Sequence, residues 1–258
     1  MNVLIGDIGN TITKICVIET NTFKIRKIIY SNTNKISLKK IFKKDLKKFL
    51  KKENLYKVAL FSSVVPKYTK IFEKYLKKEY EIKLREIKEK GIKKIIKINI
   101  KNKKQVGSDR IANAVGVYKR YKSNCIVLDF GTATTFDVVT KNGIYNGGII
   151  APGVHLSLKS LVSAADQIPI FTIKKQKKII GKNTIEALRS GFYWGYSGLI
   201  NNIILKIEKE TKKKYKIIFT GGYADLFKTA IKRSFTIDRN ITINGIIEIF
   251  RENKKYLN

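Results

Sequence analysis

The stretch "LDFGTATTFDVV", Leu128 to Val139, repeats in altered letters a phrase at the start of the chain, "LIGDIGNTITKICVI". Each copy is an apolar run, an Asp, a Gly, a cluster of Thr or Asn, and a second apolar run. β-rich runs around a polar, glycine-containing centre predict a hairpin. One such turn needs no ligand, because Asp, Gly and Asn are ordinary turn formers. Two of them, each between apolar strands and half a chain apart, predict two related domains that open on the same strand, turn and strand.

The remaining segments fit that layout, and 258 residues suffice for two modest α/β domains. After the first hairpin, "FKIRKIIYS" predicts a strand, and Phe42, Leu46, Phe49 and Leu50 fall at helical spacing. "KVALFSSVV" predicts a buried strand ending at Pro66, followed by a helix carrying Tyr68, Phe72, Tyr75 and Leu76. "GSDRIANAVGVYKRY" predicts a helix entered through Ser108 and Asp109. The opening pattern then starts afresh: two strands, an Asn142-Gly143 hairpin turn, and a third strand running into a glycine-rich loop that holds His155. A long helix follows Asn183 and Thr184. "KIIFTGGYADLF" predicts strand, glycine turn and helix, and "TINGIIEIFREN" closes the chain. The pattern predicts mixed α/β layers, with one domain over residues 1–121 and a second over 122–258.

Lys and Arg number 54 against 20 Asp and Glu, a net charge of +34 that alone would fit a nucleic-acid binder. The lysines run through every surface-like segment, interleaved with Ile and Asn, which are residues of A- and T-rich codons. No nucleic-acid motif accompanies them, so genome composition accounts for the charge and nucleic acid is the disfavoured partner. Cys16 and Cys125 lie in apolar runs without metal-binding spacing and read as core residues in a reducing compartment. No stretch has the form of a membrane span or signal peptide, which predicts a cytoplasmic protein with no membrane partner.

Gly9 and Gly131 let the backbone approach a bulky anion, and the N–H groups, Thr and Asn around them can donate to phosphate oxygens. A carboxylate beside a phosphate is repelled unless a cation lies between, so Asp7 and Asp129 predict cation ligation. Phosphoryl transfer to an alcohol also needs a group that orients the hydroxyl and takes its proton. With one His and two Cys in apolar runs, that role falls to a carboxylate. Asp109 at a helix mouth beside Arg110 is the candidate, and the planar Arg110 fork suits an acceptor carboxylate. Helix capping by Ser108 and Asp109 is an equal reading of the same residues.

The paired turns resemble the phosphate loops of the acetate and sugar kinase, Hsp70 and actin superfamily, whose domains have ribonuclease-H-like topology. Within it the chain resembles type III pantothenate kinase along nearly its whole length. The matching blocks are "DIGNTITK", "SSVVP", "VGSDRIANAV", "VLDFGTATTFDVV", "GGIIAPG", "IGKNTIEALRSGFYWGY", "FTGGYA" and "ITINGIIEIFREN". The resemblance implies an α/β fold of two duplicated ribonuclease-H-like domains, mixed sheets flanked by helices, in the actin-like ATPase superfamily. It implies ATP-dependent phosphorylation of pantothenate to 4'-phosphopantothenate, the first step towards coenzyme A.

The same resemblance implies ATP binding along Asp7, Ile8, Gly9, Asn10, Thr11, Ile12, Thr13 and Lys14, with a further contact from Thr132. Mg2+ would lie near Asp7, directly or through water, and a monovalent cation, K+ or NH4+, at Asp129. Gly107, Ser108, Asp109 and Arg110 would contact pantothenate, with Asp109 as proton acceptor. Thr184 would touch the acceptor, the alternative being an N-cap role for which Asn183 competes. The family is dimeric, which makes Gly191, Gly195 and Gly198 on one helix face a candidate homodimer contact, with packing inside one chain as the alternative. Asp137 reads as a supporting residue. Ser108 stands where the family usually has Ala, Lys103 where it has Pro, and Ile100 where a Tyr lines the acceptor pocket. These departures keep open a kinase of the same superfamily with another small acceptor. The charge keeps open a nucleic-acid-binding or regulatory protein on the same fold.

Overall fold

In the computed structural model, which describes all residues except 39, 232, 257 and 258, both copies of the repeated phrase are antiparallel hairpins. The first elements along the chain are β1 (Asn2–Ile8), β2 (Ile12–Glu19), β3 (Ile25–Asn32), α1 (Lys40–Leu50), β4 (Val58–Ser63), α2 (Pro66–Tyr80), β5 (Lys83–Glu86), β6 (Lys97–Ile98) and α3 (Ser108–Tyr121). After them come β7 (Cys125–Phe130), β8 (Ala133–Val139), β9 (Ile144–Pro152), α4 (Val154–Ala164), α5 (Thr184–Thr211), β10 (Lys216–Gly221), β11 (Phe235–Ile237) and α6 (Ile241–Asn253). The fold is mixed α/β, with sheets flanked by helices.

The chain divides into two compact units, Met1–Tyr121 with Asn240–Asn258, and Lys122–Arg239. The expected span of 122–258 for the second domain is therefore corrected at its end, because α6 belongs to the first unit. Its buried face, Ile243, Ile246, Ile247 and Phe250, needs an apolar partner, and α6 finds it along α3. Two glycines allow the helices to cross closely. A Cβ at Gly116 would lie 2.5 Å from the Ile241 carbonyl oxygen, and one at Gly245 would strike that of Ala112. Thr242 adds a buried hydrogen bond from its hydroxyl to Asn113 Oδ1 at 2.7 Å.

In the first unit the strands lie in the order β3-β2-β1-β4-β5. The β1–β2 and β2–β3 pairs are antiparallel, and the β1–β4 and β4–β5 pairs parallel. "VALFSS" is apolar on both faces, as a central strand between two helix layers has to be. Leu4, Ile8, Ile15, Ala59 and Phe61 meet Phe42 and Leu46 of α1 and Phe72 and Leu76 of α2. Phe61, Phe72 and Leu76 are almost wholly removed from water, each contributing about 1.5–3 kcal/mol. Pro66 opens α2, where its fixed φ fits and its missing N–H costs nothing. Side-chain alternation puts Asp7, Lys14 and Ser62 on the opposite face, and α3 and α6 both contact β4.

Within the second unit the order β9-β8-β7-β10-β11 repeats that of the first. The first two pairings are antiparallel and the last two parallel, so the duplication read from the turns extends to the sheet. Leu128, Phe130, Phe136 and Phe219 form its core with Tyr193, Ile200 and Ile204 of α5. Two local expectations are corrected here. His155 lies in α4 rather than in a loop, since "VHLSLKSLVSA" holds no breaker once the glycines have passed. After β10 the chain makes successive turns, not a helix: Ala224, Leu226 and Ala230 donate to carbonyls three residues back. No helix among the described residues is long and apolar enough to cross a membrane.

Candidate active site

Asp7 on β1 stands opposite Lys14 on β2 and beside Ser62 on β4. Paired positions share a face, so carboxylate, ammonium and hydroxyl form a row across three strands. Asp7 and Lys14 are half-buried and Ser62 is buried. Both charges are felt at Cys16, whose thiol burial pushes up to about 12, with Lys14 lowering and Asp7 raising it. Such a thiol is inert packing, and Cys16 and Cys125 are both free and buried.

The turn that follows Asp7 is tight. Gly9 N–H donates to Ile12 O at 3.1 Å, and a Cβ at Gly9 would lie 2.9 Å from that same oxygen. Thr33, buried and absent from the sequence-based site, holds the turn from beneath. Its hydroxyl donates to Gly9 O at 2.7 Å and lies 3.0 Å from Thr13 Oγ1, while its N–H donates to Thr11 O at 2.8 Å. Asn10 and Thr11 are exposed at the tip and Ile12 is 39% exposed, a fixed set of amides and polar side chains suited to phosphate oxygens.

Asp109 is reached through Val64, the residue after β4. Val64 N–H donates to Ile8 O at 3.2 Å, and Val64 Cγ1 lies 3.5 Å from where a Gly107 Cβ would stand. The end of β1, the loop after β4 and the start of α3 thus gather at the carboxyl ends of parallel strands, the usual place for a site in such a sheet. Any side chain at Gly107 would strike Asp109 Oδ1. That oxygen accepts the Arg110 N–H at 2.8 Å, and Ile111 N–H closes the helix on Gly107 O at 3.1 Å. The carboxylate therefore binds an amide of the first turn, but from the second position of the helix, which begins at Ser108, and not from the cap position the capping reading expects. It is half-buried, not sealed from solvent. Burial raises its pKa above the ordinary aspartate value, opposed by the Arg110 amide and by the charges of Arg110 and Lys88. A raised pKa makes the ionised carboxylate a better base.

Lys103 opens a short turn, Lys103–Gln105, that Asn102 caps by accepting Lys104 N–H at 3.2 Å. The first position of a turn also suits proline, so this departure leaves the path of the chain alone. Ile100 is half-buried.

In the second unit Asp129 is paired with Thr135 on β8 and Thr220 on β10. Gly221, at φ 86°, presses against it: a Cβ there would lie 2.6 Å from Phe130 N and O and 2.7 Å from Asp129 Oδ1. A Cβ at Gly131 would lie 3.7 Å from the same oxygen, and one at Gly153 would strike the carbonyls of Gly131 and Thr132. Thr132 is exposed. Asp137 is fully buried and accepts the Tyr145 hydroxyl at 2.8 Å, a supporting role.

Both turns offer oxygen donors only, one carboxylate each with backbone carbonyls near. No cluster of three His, Cys, Asp or Glu able to hold a metal occurs among the described residues. That donor set does not suit a tetrahedral zinc site. It fits hard cations that keep water and phosphate in their shell, so Mg2+ near Asp7 and a monovalent cation in the glycine-walled cradle of Asp129 are compatible with the residues present.

Thr184 is the first residue of α5 and exposed. The cap is Asn183, whose Oδ1 accepts Glu186 N–H at 2.9 Å, while Glu186 accepts Lys182 N–H at 2.8 Å. Thr184 instead lines a groove of about 610 Å³ with Ser157, Leu161, Gly191, Gly195 and Tyr196. A Cβ at Gly191, Gly195 or Gly198 would meet nothing within 4 Å, so none of these glycines is there to admit another element of this chain.

The family model for type III pantothenate kinase matches residues 3–206. A type III pantothenate kinase of Pelagibacter ubique (strain HTCC1062) is 49% identical over 245 residues, 95% of this chain and 97% of that protein. Another, of Paramagnetospirillum magneticum (strain ATCC 700264 / AMB-1), is 38% identical over 195 residues, 76% of this chain and 75% of its own. Among solved structures, the activator of the 2-hydroxyisocaproyl-CoA dehydratase from Clostridium difficile, with bound ADPNP, superposes with a TM-score of 0.59 at 12% identity. The match covers 99% of this chain and 97% of that one. This last likeness is one of fold, that of the actin-like ATPases and sugar kinases.

Proposed function

The chain belongs to the type III pantothenate kinase family, and on that premise we propose how its residues divide the ATP-dependent phosphorylation of pantothenate. The enzyme is a phosphotransferase of coenzyme A biosynthesis, with ATP and pantothenate as substrates.

The ATP phosphates lie against the Asp7–Lys14 turn, where Gly9 permits close backbone approach, Asn10 and Thr11 line the tip, Thr13, wholly buried, braces it through Thr33, and Lys14 offsets charge. Ile8 and Ile12 anchor its two strand ends, and Thr132 of the second turn adds a hydroxyl. When bound, Mg2+ at Asp7 and K+ or NH4+ at Asp129 supply charge neutralisation for the phosphates. The primary hydroxyl of pantothenate attacks the γ-phosphorus, the bond to the ADP oxygen breaks, and the hydroxyl proton passes to Asp109. Arg110 holds the pantothenate carboxylate through its two-pronged guanidinium. Gly107 and Ser108 bring the backbone of the α3 entrance against the acceptor, and Thr184 is assigned to acceptor binding as well.

The observation that carries this reading is the shared edge of the first sheet, where Ile8 bonds Val64 and Val64 abuts Gly107. It lets one unit hold both a phosphate turn and a base. The open glycine face of α5 and the groove beside it support a homodimer through that helix; sedimentation as a monomer at all concentrations would exclude it. Dependence on ATP and two free thiols support a cytoplasmic location. The decisive assay is ADP release by the purified protein with Mg2+ and with K+ against Na+, across a panel of hydroxy acids. Release is expected with pantothenate; release with a different acceptor alone would sink the reading.

A further inference from the structure

The acceptor segment is held from outside the helix by a lysine that no sequence motif marks. The turn after β5 is locked by its own hydrogen bonds. Arg85 Nε donates to Glu89 Oε2 at 2.5 Å and Arg85 Nη2 to Lys90 O at 3.0 Å. Glu86 N–H donates to Glu89 Oε1 at 2.9 Å, Lys88 N–H to Glu86 Oε2 at 2.7 Å, and Ile87 N–H to Phe61 O at 2.9 Å. From this fixed base the Lys88 ammonium reaches across and donates to Val106 O at 2.7 Å and Lys104 O at 3.1 Å. Val106 directly precedes Gly107, and Val106 itself is buried. A long side chain loses rotamer freedom when held this way, which its two charge-assisted bonds offset.

We propose that Lys88 is a positioning residue of the acceptor site: it clamps the chain entering Gly107–Arg110 and sets a positive charge within reach of Asp109. The inference rests on the assignment of Asp109 as proton acceptor. The charged groups shown to act on Asp109 are Arg110 on α3 and Lys88 on the β5 turn; Lys88 also acts on Glu86, and Arg85 and Glu89 on the same turn pair with each other. Burial alone would favour the protonated, useless form of Asp109; the Arg110 amide and charge oppose that most, and the Lys88 charge adds to them in smaller measure. Glu86 is likewise raised by burial and lowered in smaller measure by Ser108 and Lys88, so one ammonium serves two carboxyl groups. A lysine that merely stapled a loop would influence pantothenate binding without touching the ionisation of the base.

The test is steady-state kinetics of Lys88→Met, Lys88→Arg and Asp109→Asn across the acid limb of the pH profile, with thermal melting of each variant as a folding check. In Lys88→Met the KM for pantothenate rises about tenfold, the scale of one charged hydrogen bond, while the KM for ATP stays put. Its acid limb moves to higher pH, and Lys88→Arg restores the limb. An unmoved acid limb in folded Lys88→Met overturns the proposal even if KM rises, and so does failure of the arginine to restore it. If Lys88→Met does not fold, the arginine variant decides: a limb away from the wild-type position overturns the proposal, a matching limb supports it. Turnover retained by Asp109→Asn would instead remove the base assignment itself, and this inference with it.

Discussion

The Thr33 hydroxyl donates to the Gly9 carbonyl at 2.7 Å while receiving the Thr13 hydroxyl at 3.0 Å. A threonine at the end of β3 thereby fixes the shape of the turn between β1 and β2. Thr33→Val keeps the shape of the side chain and leaves two buried acceptor or donor groups unmet. Chemical denaturation is expected to show a loss of about 1–3 kcal/mol, with the KM for ATP raised and that for pantothenate unchanged. Equal effects on both substrates would mean that the turn does not serve nucleotide alone.

Asp109→Asn keeps volume and removes the base. Turnover should fall by about 10²–10⁴, with ATP affinity by calorimetry largely intact; lost nucleotide binding would show that the role is misassigned. The pH dependence has a definite sign. A base works ionised, and the Asp109 pKa is raised by burial, so kcat/KM falls as pH drops through a value above that of free aspartate. The linkage to stability runs the other way. A carboxyl raised in the folded state stabilises the protein only while protonated, and that contribution is lost as pH rises through the folded pKa. At neutral pH the asparagine variant should therefore melt no lower than wild type.

Asp129→Asn is expected to lower activity and to abolish the difference between K+ and Na+, because the cradle keeps its carbonyls and loses its charge. The measurement is initial rate against cation concentration. A variant as K+-responsive as wild type would place the monovalent cation elsewhere.

Two glycines on helices should respond in opposite ways. Gly→Ala in an exposed helix gains about 1 kcal/mol of helix propensity. Gly195, whose Cβ would meet nothing within 4 Å, should show that gain in the melting of the isolated chain. Gly245, whose Cβ would strike the Ala112 carbonyl, should lose about 1–3 kcal/mol to overpacking despite the same propensity. If Gly245→Ala were stabilising, the close crossing of α3 and α6 would be wrong.

The two hairpin turns were legible because the alternation of the strands and the turn residues lie within a dozen neighbouring positions, and because the phrase occurs twice. Asp109 was legible as an acid beside an arginine at a helix mouth, though residues alone left it between base and cap, and the carboxylate bonds the Arg110 amide in any case. Thr33 and Lys88 left no local mark, since their contacts depend on where β3 ends and where the turn after β5 points. β5 itself, "KLRE", has no apolar run; its parallel pairing with β4 makes it a strand. α6 announces a buried face in its sequence but not which partner it buries against. Helix α4 was hidden by the glycines ahead of it.

The membership of α6 in the first unit has a consequence for how the protein is made. The second unit is one uninterrupted stretch, Lys122–Arg239, whereas the first needs both ends of the chain. On the ribosome the half that is translated first is thus completed last. Until Ile241–Asn253 emerges, the groove of α3 around Ala112 and Gly116 has no cover, and a nascent chain halted before that point would carry an exposed apolar seam that chaperones must shield.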